Sequence, residues 1–319
     1  MSISQLNFNK ILAKEYLFEK IPYIAVAVSG GPDSMALVFL LDKWVSKQKG
    51  KLIALIVDHH IRKESKREAQ ITKYYLAQNN IKSIILRVPN KNIKKKTMDK
   101  ARQNRFTKIL KFCNQNNIFH LFLGHHYDDN LETFLLRKIA GSNYEGLISM
   151  QTKVTRDKVQ ILRPLLQYSK KEILEFNYLN KIKYVNDPSN KNKIYSRVIV
   201  RKFIEDNNKY KREIEKDFRL IQGLSSSYKR MIFQIFHQVN ILINKNKVII
   251  NFNKFLNLDR EIQIKIIEII HKYLYAERPF LRYAKISRVL EYLSKKNKFH
   301  TNLAGMKIYR DSFFISFKA

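Results

Sequence analysis

The chain has 319 residues, with 61 Lys and Arg against 27 Asp and Glu and a formal net charge of +34. That length holds two domains with cores of their own, and so large a basic excess points to a polyanionic partner, nucleic acid first. One cysteine, Cys113, excludes an internal disulfide, a two-cysteine sulfur relay and any multi-cysteine zinc or iron–sulfur centre, and it fits a reducing compartment. Lys, Ile and Asn are abundant throughout, so a compositionally biased genome also raises the Lys count, although it accounts less well for the shortage of Asp and Glu. No apolar run reaches the ~18 residues that span a bilayer. Residues 1–20 lack the apolar core of a signal peptide. The chain therefore reads as soluble and cytoplasmic.

Residues 21–28, IPYIAVAV, make a short β-rich run of the kind that fills a buried parallel strand. Similar strand patterns recur at 52–57, 83–88, 118–123 and 159–162. Helical spacing of apolar residues fills the intervals at 33–47, 63–78, 98–116 and 129–139, with Cys113 as packing in the third. This alternation predicts an α/β fold, a parallel sheet covered on both faces, with ligands at the carboxyl ends of its strands. Ser169, with Glu172 three residues on, is a capping box that opens the next helix. Residues 186–190 form a turn cluster. From 209 to 243 the pattern is helical and strongly basic. A turn at 244–247, a short strand at 248–252, helices at 260–275 and 284–295 and a β-patterned end at 306–317 complete the chain. The domain boundary falls near 209–216, giving domains 1–212 and 213–319: a mainly helical linker leads from the sheet domain into a small α+β domain.

The first chemical signal is Ser29, Gly30, Gly31, Pro32, Asp33 and Ser34, between the first strand and its helix. A glycine-bearing turn there aims backbone N–H groups at an anion, usually phosphate. The pattern is not the GxxxxGK[ST] of a P-loop. The same residues also read as a plain tight turn, with Gly supplying positive φ and Ser34 capping the helix. Asp58 and His59 follow the second strand and read as loop caps. Arg102 and Arg105 share one helix face, where they take phosphate or line a solvated surface. His125 sits at a strand end, and Asp129 and Glu132, three apart, turn two carboxylates to one side. Such a pair suits an ammonium group, Mg²⁺ or a general base; a zinc site or an acidic helix cap are the other readings. Arg197 and Arg201, four apart, share a face of a later helix.

SGGPDS resembles the PP-loop of the N-type ATP pyrophosphatases, of the adenine nucleotide alpha hydrolase-like fold, which split ATP into AMP and pyrophosphate to activate an oxygen as its adenylate. Residues 124–133, GHHYDDNLET, are similar to the GHxxDDxxET motif of one branch, the tRNA(Ile)-lysidine synthetases. Residues 57–62 resemble its VDHxLR segment, with Ile61 where Leu is common, and 101–106 its ARxxRY/F. Residues 163–166 match RPLL, and Asp187, Ser189 and Asn190 match D-x-S-N. Residues 197–201 resemble RNxIR, with Val198 in place of Asn. In the glycine-bearing loop at 138–150, Gly141, Ser142, Gly146 and Leu147 match. Ala140 stands where Arg is usual and Asn143 where Gly is usual, Asn being the residue that best keeps a left-handed turn. The resemblance covers residues 20–205 well and the last hundred in outline, where 301–305 and the β-like tail look like a small module that grips the tRNA acceptor region.

The resemblance implies ligation of free L-lysine to C2 of the wobble cytidine of tRNA(Ile) with a CAU anticodon, through an adenylated cytidine, with ATP and Mg²⁺. By the same resemblance the 29–34 loop holds the phosphates and Asp33 holds Mg²⁺. Arg105, with Arg197 or Arg201, stabilises the departing pyrophosphate, and His125 orients or polarises the substrate. Asp129 and Glu132 bind the ammonium groups of lysine and deprotonate the attacking amine. Monomer and homodimer both stay open. Two rival readings are a PP-loop tRNA thiolase, disfavoured by the single cysteine, and a basic RNA-binding protein whose ATP site has decayed. Intact Asp33, Asp129 and Glu132 oppose decay; Ala140, Asn143 and Val198 are its support.

Overall fold

The alternation of the first half builds one sheet. The computed structural model describes residues 3–58, 65–87, 98–185, 196–275, 281–295 and 298–319, without the side chains of 58, 98–105, 196 and 208. Its contacts divide into two units, Met1–Ile221 and Gln222–Ala319.

In the first unit, helix α1 (Gln5–Glu15) starts from Ser4, whose hydroxyl accepts the Asn7 N–H. Strands and helices then alternate: β1 (Tyr23–Val28), α2 (Pro32–Lys47), β2 (Lys51–Asp58), α3 (Ser65–Ala77), β3 (Ser83–Arg87), α4 (Met98–Gln115), β4 (His120–Leu123) and α5 (Tyr127–Ile139). Next come α6 (Tyr144–Leu147), the hairpin β5 (Lys153–Arg156) and β6 (Val159–Leu162), a 3-10 turn at Pro164–Gln167, α7 (Lys170–Leu179), α8 (Ser196–Asp206) and α9 (Asn208–Val239), whose residues from Gln222 on belong to the second unit. The sheet order is β3-β2-β1-β4-β6-β5, parallel except for β5, which runs antiparallel to β6 at the edge. Ile24, Ala25 and Val26 of β1 are fully buried because both faces are covered. One face carries Phe8, Leu12, Met35, Leu40 and Phe122; the other carries Ile109, Leu110 and Cys113 against Ala25, Ile53 and Leu121. Burial pushes the Cys113 thiol up to about 12, so it stays a packing group and not a nucleophile.

In the second unit, β7 (Asn240–Asn244), β8 (Lys247–Asn251), α10 (Phe252–Leu256), α11 (Arg260–Leu274), α12 (Tyr283–Lys295), β9 (Phe299–Leu303), β10 (Met306–Arg310) and β11 (Phe314–Lys318) form an antiparallel sheet, order β7-β8-β11-β10-β9, with helices. Along β10, Met306, Ile308 and Arg310 are buried and Lys307 and Tyr309 exposed, the alternation of a one-sided sheet. Ile266, Ile267 and Ile270 of α11 fill the core with Val248, Ile250 and Phe317.

Three features depart from the sequence pattern. The helix expected to reach 243 ends at Val239, and residues 240–244, with Ile241, Leu242 and Ile243 at their centre, pair with β8. The β-patterned end is two strands, split by Asp311, whose Oδ1 accepts the N–H groups of Phe313 and Phe314. Short β5 and β9, with exposed positions, gave no apolar signal of their own. Among the described residues no helix is long and apolar enough to cross a membrane.

Leu40 is fully buried and Leu17 is 83% exposed. Leu40→Ala is expected to cost roughly 2–5 kcal/mol in urea unfolding and Leu17→Ala less than about 0.5 kcal/mol. Equal losses would refute this account of the core.

Candidate active site

The turn after β1 is held by its own side chains. Gly30 has φ +87°, and a Cβ there would lie 2.2 Å from Thr72 Oγ1 of α3, so both backbone and space demand glycine. Ser34 Oγ accepts the Ser29 N–H at 3.2 Å and donates to the Gly31 carbonyl at 3.0 Å. Ser34 thus ties the loop across its own width; the helix cap is Gly31, followed by Pro32 at the first helical position. This corrects the expectation that Ser34 is the cap. Pro32 has no N–H, so Asp33 and Ser34 carry the first N–H groups of α2, which have no intrahelical partner; a helix terminus of this kind suits an anion.

Gly124, after β4, meets that turn. A Cβ on Gly124 would lie 3.1 Å from the Asp33 carbonyl carbon and from Ser34 N and Cα. Glycine lets the second motif lie against the first. Helix α5 then starts on His126, in a reciprocal cap: His126 Nδ1 accepts the Asp129 N–H at 3.4 Å, and Asp129 Oδ2 accepts the His126 N–H at 3.3 Å.

His126 is 4% exposed and stands among three carboxylates. Its Nε2 is 3.4 Å from Asp129 Oδ2 and 3.8 Å from Asp33 Oδ1, and its Nδ1 is 3.6 Å from Asp128 Oδ2. Burial pulls its pKa down, but the Asp128 hydrogen bond and the charges of Asp129 and Asp33 outweigh that and raise it, with Lys170 opposing. Nδ1 serves one partner at a time: the neutral ring accepts the Asp129 N–H, and the charged ring points a proton at Asp128. For Asp128 the reverse holds. Burial pushes it up, yet His126 and the Lys170 N–H hold it below the usual carboxylate range. Lys170, the first residue of α7, donates through Nζ to both oxygens of Asp33 at 2.6 and 2.8 Å, and through its backbone N–H to Asp128 Oδ2 at 2.6 Å.

One turn further along α5, Glu132 is 2% exposed and takes Arg201 in a forked pair, Nε at 2.6 Å and Nη2 at 3.2 Å. Burial raises the Glu132 pKa, and Arg201 offsets it only in part. Arg197 Nη2 donates to Thr133 Oγ1 at 3.3 Å, and that hydroxyl donates to the Asp129 carbonyl at 2.8 Å. Leu131, Leu135, Val200 and Ile204 seal α8 against α5 and set both arginines in place.

The structure therefore gathers Asp33 and Asp129 round His126, and Glu132, Arg197 and Arg201 beside them. His125 lies half-buried between Gly124 and the cap. The Arg102 and Arg105 side chains, His59 to Arg62, and Asp187 to Asn190 lie outside the described residues. Asn143 is not left-handed. It sits at φ −64° and caps α6, accepting the Gly146 N–H at 3.1 Å, while Gly141 takes the positive φ of +66°. His126 and Lys170 were not read from the sequence. The first was legible as a cap three residues before Asp129; the second had no local signal, because its partner is remote in the chain.

A model of the PP-loop domain family matches residues 2–207. A protein named tRNA(Ile)-lysidine synthase from Wolbachia sp. subsp. Brugia malayi (strain TRS) is 32% identical over 294 residues, 89% of this chain and 68% of that protein. This chain belongs to the tRNA(Ile)-lysidine synthase family. A synthase of that name from Wolbachia pipientis wMel is 40% identical over 184 residues, 57% of this chain and 43% of its own length. The matched part thus ranges from under half to about two thirds of these relatives. Among solved structures, the U34-tRNA thiolase NcsA from Methanococcus maripaludis, with its 4Fe-4S cluster, aligns with TM-score 0.58 and 19% identity over 68% of this chain and 77% of that one, a likeness of fold alone. Asp33, His126 and Asp129 stand together after β1 and β4, inside the span that the PP-loop domain model matches.

Gly124→Ala forces backbone atoms apart at 3.1 Å. It is expected to weaken ATP binding in titration calorimetry by roughly tenfold, about 1.4 kcal/mol; unchanged affinity would mean the two motifs do not meet as described. The second prediction concerns pH. Because the His126 pKa is raised in the folded chain, its protonation adds stability that is fully present below about pH 6.5, the unfolded value, and is lost as pH rises through the folded one. Denaturant midpoints of the parent and His126→Gln should differ most in acid and draw together in alkali. A constant offset would remove His126 as the group responsible.

Proposed function

We propose that this chain uses ATP to ligate free L-lysine to C2 of the wobble cytidine of tRNA(Ile) with a CAU anticodon. The observation that carries the reading is the placement of Asp33 and Asp129, both within 3.8 Å of His126, against the PP-loop of a chain of this family. In the first step the C2 oxygen of the base attacks the α-phosphorus of ATP, and pyrophosphate leaves with the electron pair of the broken P–O bond. The N–H groups of the 29–34 turn and the α2 terminus bind the phosphates. Arg105, with Arg197 or Arg201, stabilises the charge that builds on the leaving group. When bound, Mg²⁺ neutralises that same charge. Asp33 would hold it, since Mg²⁺ is usually shared between one or two carboxylates and substrate phosphates and not caged by protein.

In the second step the lysine amine attacks C2 and AMP leaves. An amine with a pKa near 10.4 is almost wholly protonated at neutral pH, so it needs a base. Asp129, at the mouth of the site, takes that proton. Glu132 binds an ammonium group of lysine. Arg201 holds both its oxygens, at 2.6 and 3.2 Å, so the incoming ammonium takes over the longer bond. His125 orients the base at the strand end. Residues 213–319 form the tRNA-binding domain, and two basic runs, Lys94 to Lys96 (outside the described residues) and 209–216, contribute phosphate contacts.

The test is AMP release from ATP with CAU-anticodon tRNA(Ile), with and without lysine, followed by mass analysis of nucleosides. Lysine-dependent AMP and a cytidine carrying lysine are expected, and Asp129→Asn should lower kcat on the order of a hundredfold. AMP release that ignores lysine, or none while tRNA binds, would reject the reading. For the RNA surface, Lys209, Arg212 and Lys216 are exposed on α9. Reversing these charges should weaken tRNA binding and flatten the slope of log affinity against log salt by about one per lost phosphate contact; an unchanged slope would place the RNA elsewhere.

A further inference from the structure

Lys170 donates through Nζ to both oxygens of Asp33, and the reaction outlined above assigns it nothing. Its backbone is fixed from three sides. Ser169 and Glu172 close a capping box, with the Ser169 N–H and hydroxyl both donating to Glu172 Oε2 at 2.7 Å. The Tyr127 N–H donates to the Tyr168 carbonyl at 2.8 Å, and the Lys170 N–H to Asp128 at 2.6 Å, so the start of α7 is stitched to the start of α5. Further along, Asn177 Nδ2 donates to the Pro32 carbonyl at 2.9 Å, fastening α7 to the PP-loop itself. The base of the lysine is therefore rigid, while its four-carbon stem is free to swing.

The ammonium end is less firmly placed. The Lys170 side chain is 38% exposed and that of Asp33 26%. An ion pair open to water to that degree is weakly held. Asp33 lies on the second residue of α2, at the same helix terminus that takes the phosphates. A polyphosphate arriving there meets a carboxylate of its own sign and a lysine already beside it. Several phosphate oxygens attract an ammonium group more strongly than one carboxylate does.

We infer that Lys170 exchanges partners during the cycle: it covers Asp33 when the site is empty, and on nucleotide binding it swings to the β- and γ-phosphates, uncovering Asp33. It then stays with the pyrophosphate as that group departs, keeping its own proton throughout. The inference rests on the ATP-dependent reading above and adds to it a phosphate ligand on α7, with a reason why that residue is engaged elsewhere beforehand.

The test uses the full chain and three probes, ATP, AMP and inorganic pyrophosphate, each titrated with Mg²⁺ against the parent, Lys170→Met and Lys170→Arg. Lys170→Met is expected to weaken ATP and pyrophosphate at least tenfold and to leave AMP within twofold. Lys170→Arg, which keeps the charge, should recover most of the loss. If Lys170 only neutralises Asp33, Lys170→Met would weaken all three probes alike or tighten ATP, and either result overturns the inference. Thermal melts check folding; should Lys170→Met fail to fold, Lys170→Gln and Lys170→Arg give the same ATP-to-AMP comparison. A parent chain that binds no ATP would instead reject the nucleotide reading, so the two failures are told apart.

Discussion

Hydrogen bonding between β1 and β4, in register from Ile24 opposite His120 to Ala27 opposite Leu123, brings two strands to an end at the same height. Parallel strands leave the sheet on the same side, so the turn after each emerges next to the other. The meeting of the two motifs follows from that adjacency. It puts Gly124 against the backbone of Asp33 and Ser34, and it carries the α5 cap, with His126 and Asp129, to the 29–34 turn. A Cβ at Gly124 would press on Asp33 and Ser34 at 3.1 Å, so a larger residue there needs the loop or the cap to give way.

The second constraint is electrostatic. A chain of net charge +34 draws polyanions from a distance, yet the place where it would handle one is lined by Asp33, Asp128 and Asp129. Three carboxylates so close cannot all stay charged unaided. His126 and Lys170 supply the compensation, the first buried between them and the second reaching in from α7. Glu132 meets the same problem further inside and is answered by Arg201. The basic excess therefore serves two ends: long-range attraction at the surface, and specific neutralisation of acids in the site.

Much of this was legible from residue order, and the parts that were not have a common cause. Ser29 to Ser34 and Gly124 to Glu132 declare themselves because their roles are set by neighbours within a few positions: a strand end, a glycine and a helix start. The buried strands β1, β2 and β4 stand out because a covered parallel sheet demands continuous apolar runs. Strand β7 did not, since Ile241, Leu242 and Ile243 continue a basic helical pattern with no stop signal before them. Asn143 was misread because its tolerance of a left-handed turn is a property of the residue alone, whereas the chain gave that turn to Gly141 and used Asn143 as a cap. Lys170 was invisible for the opposite reason. Nothing near it in sequence hints at Asp33, and only the docking of α7 on α2 joins them.

Gly30 and Thr72 have a meaning for variation in this chain that reaches past the site. The loop rests so tightly on α3 that a methyl group at 30 would overlap the Thr72 hydroxyl, which already donates to the Glu68 carbonyl inside the helix at 2.8 Å. The two positions form one steric unit, although α2 and β2 both lie between them in the chain. Recombination that takes β1 from one parent and α3 from another breaks that unit unless both parents place a short side chain opposite the glycine. Crossovers in this region are governed by α3, a helix that contributes no charge or nucleophile to the site.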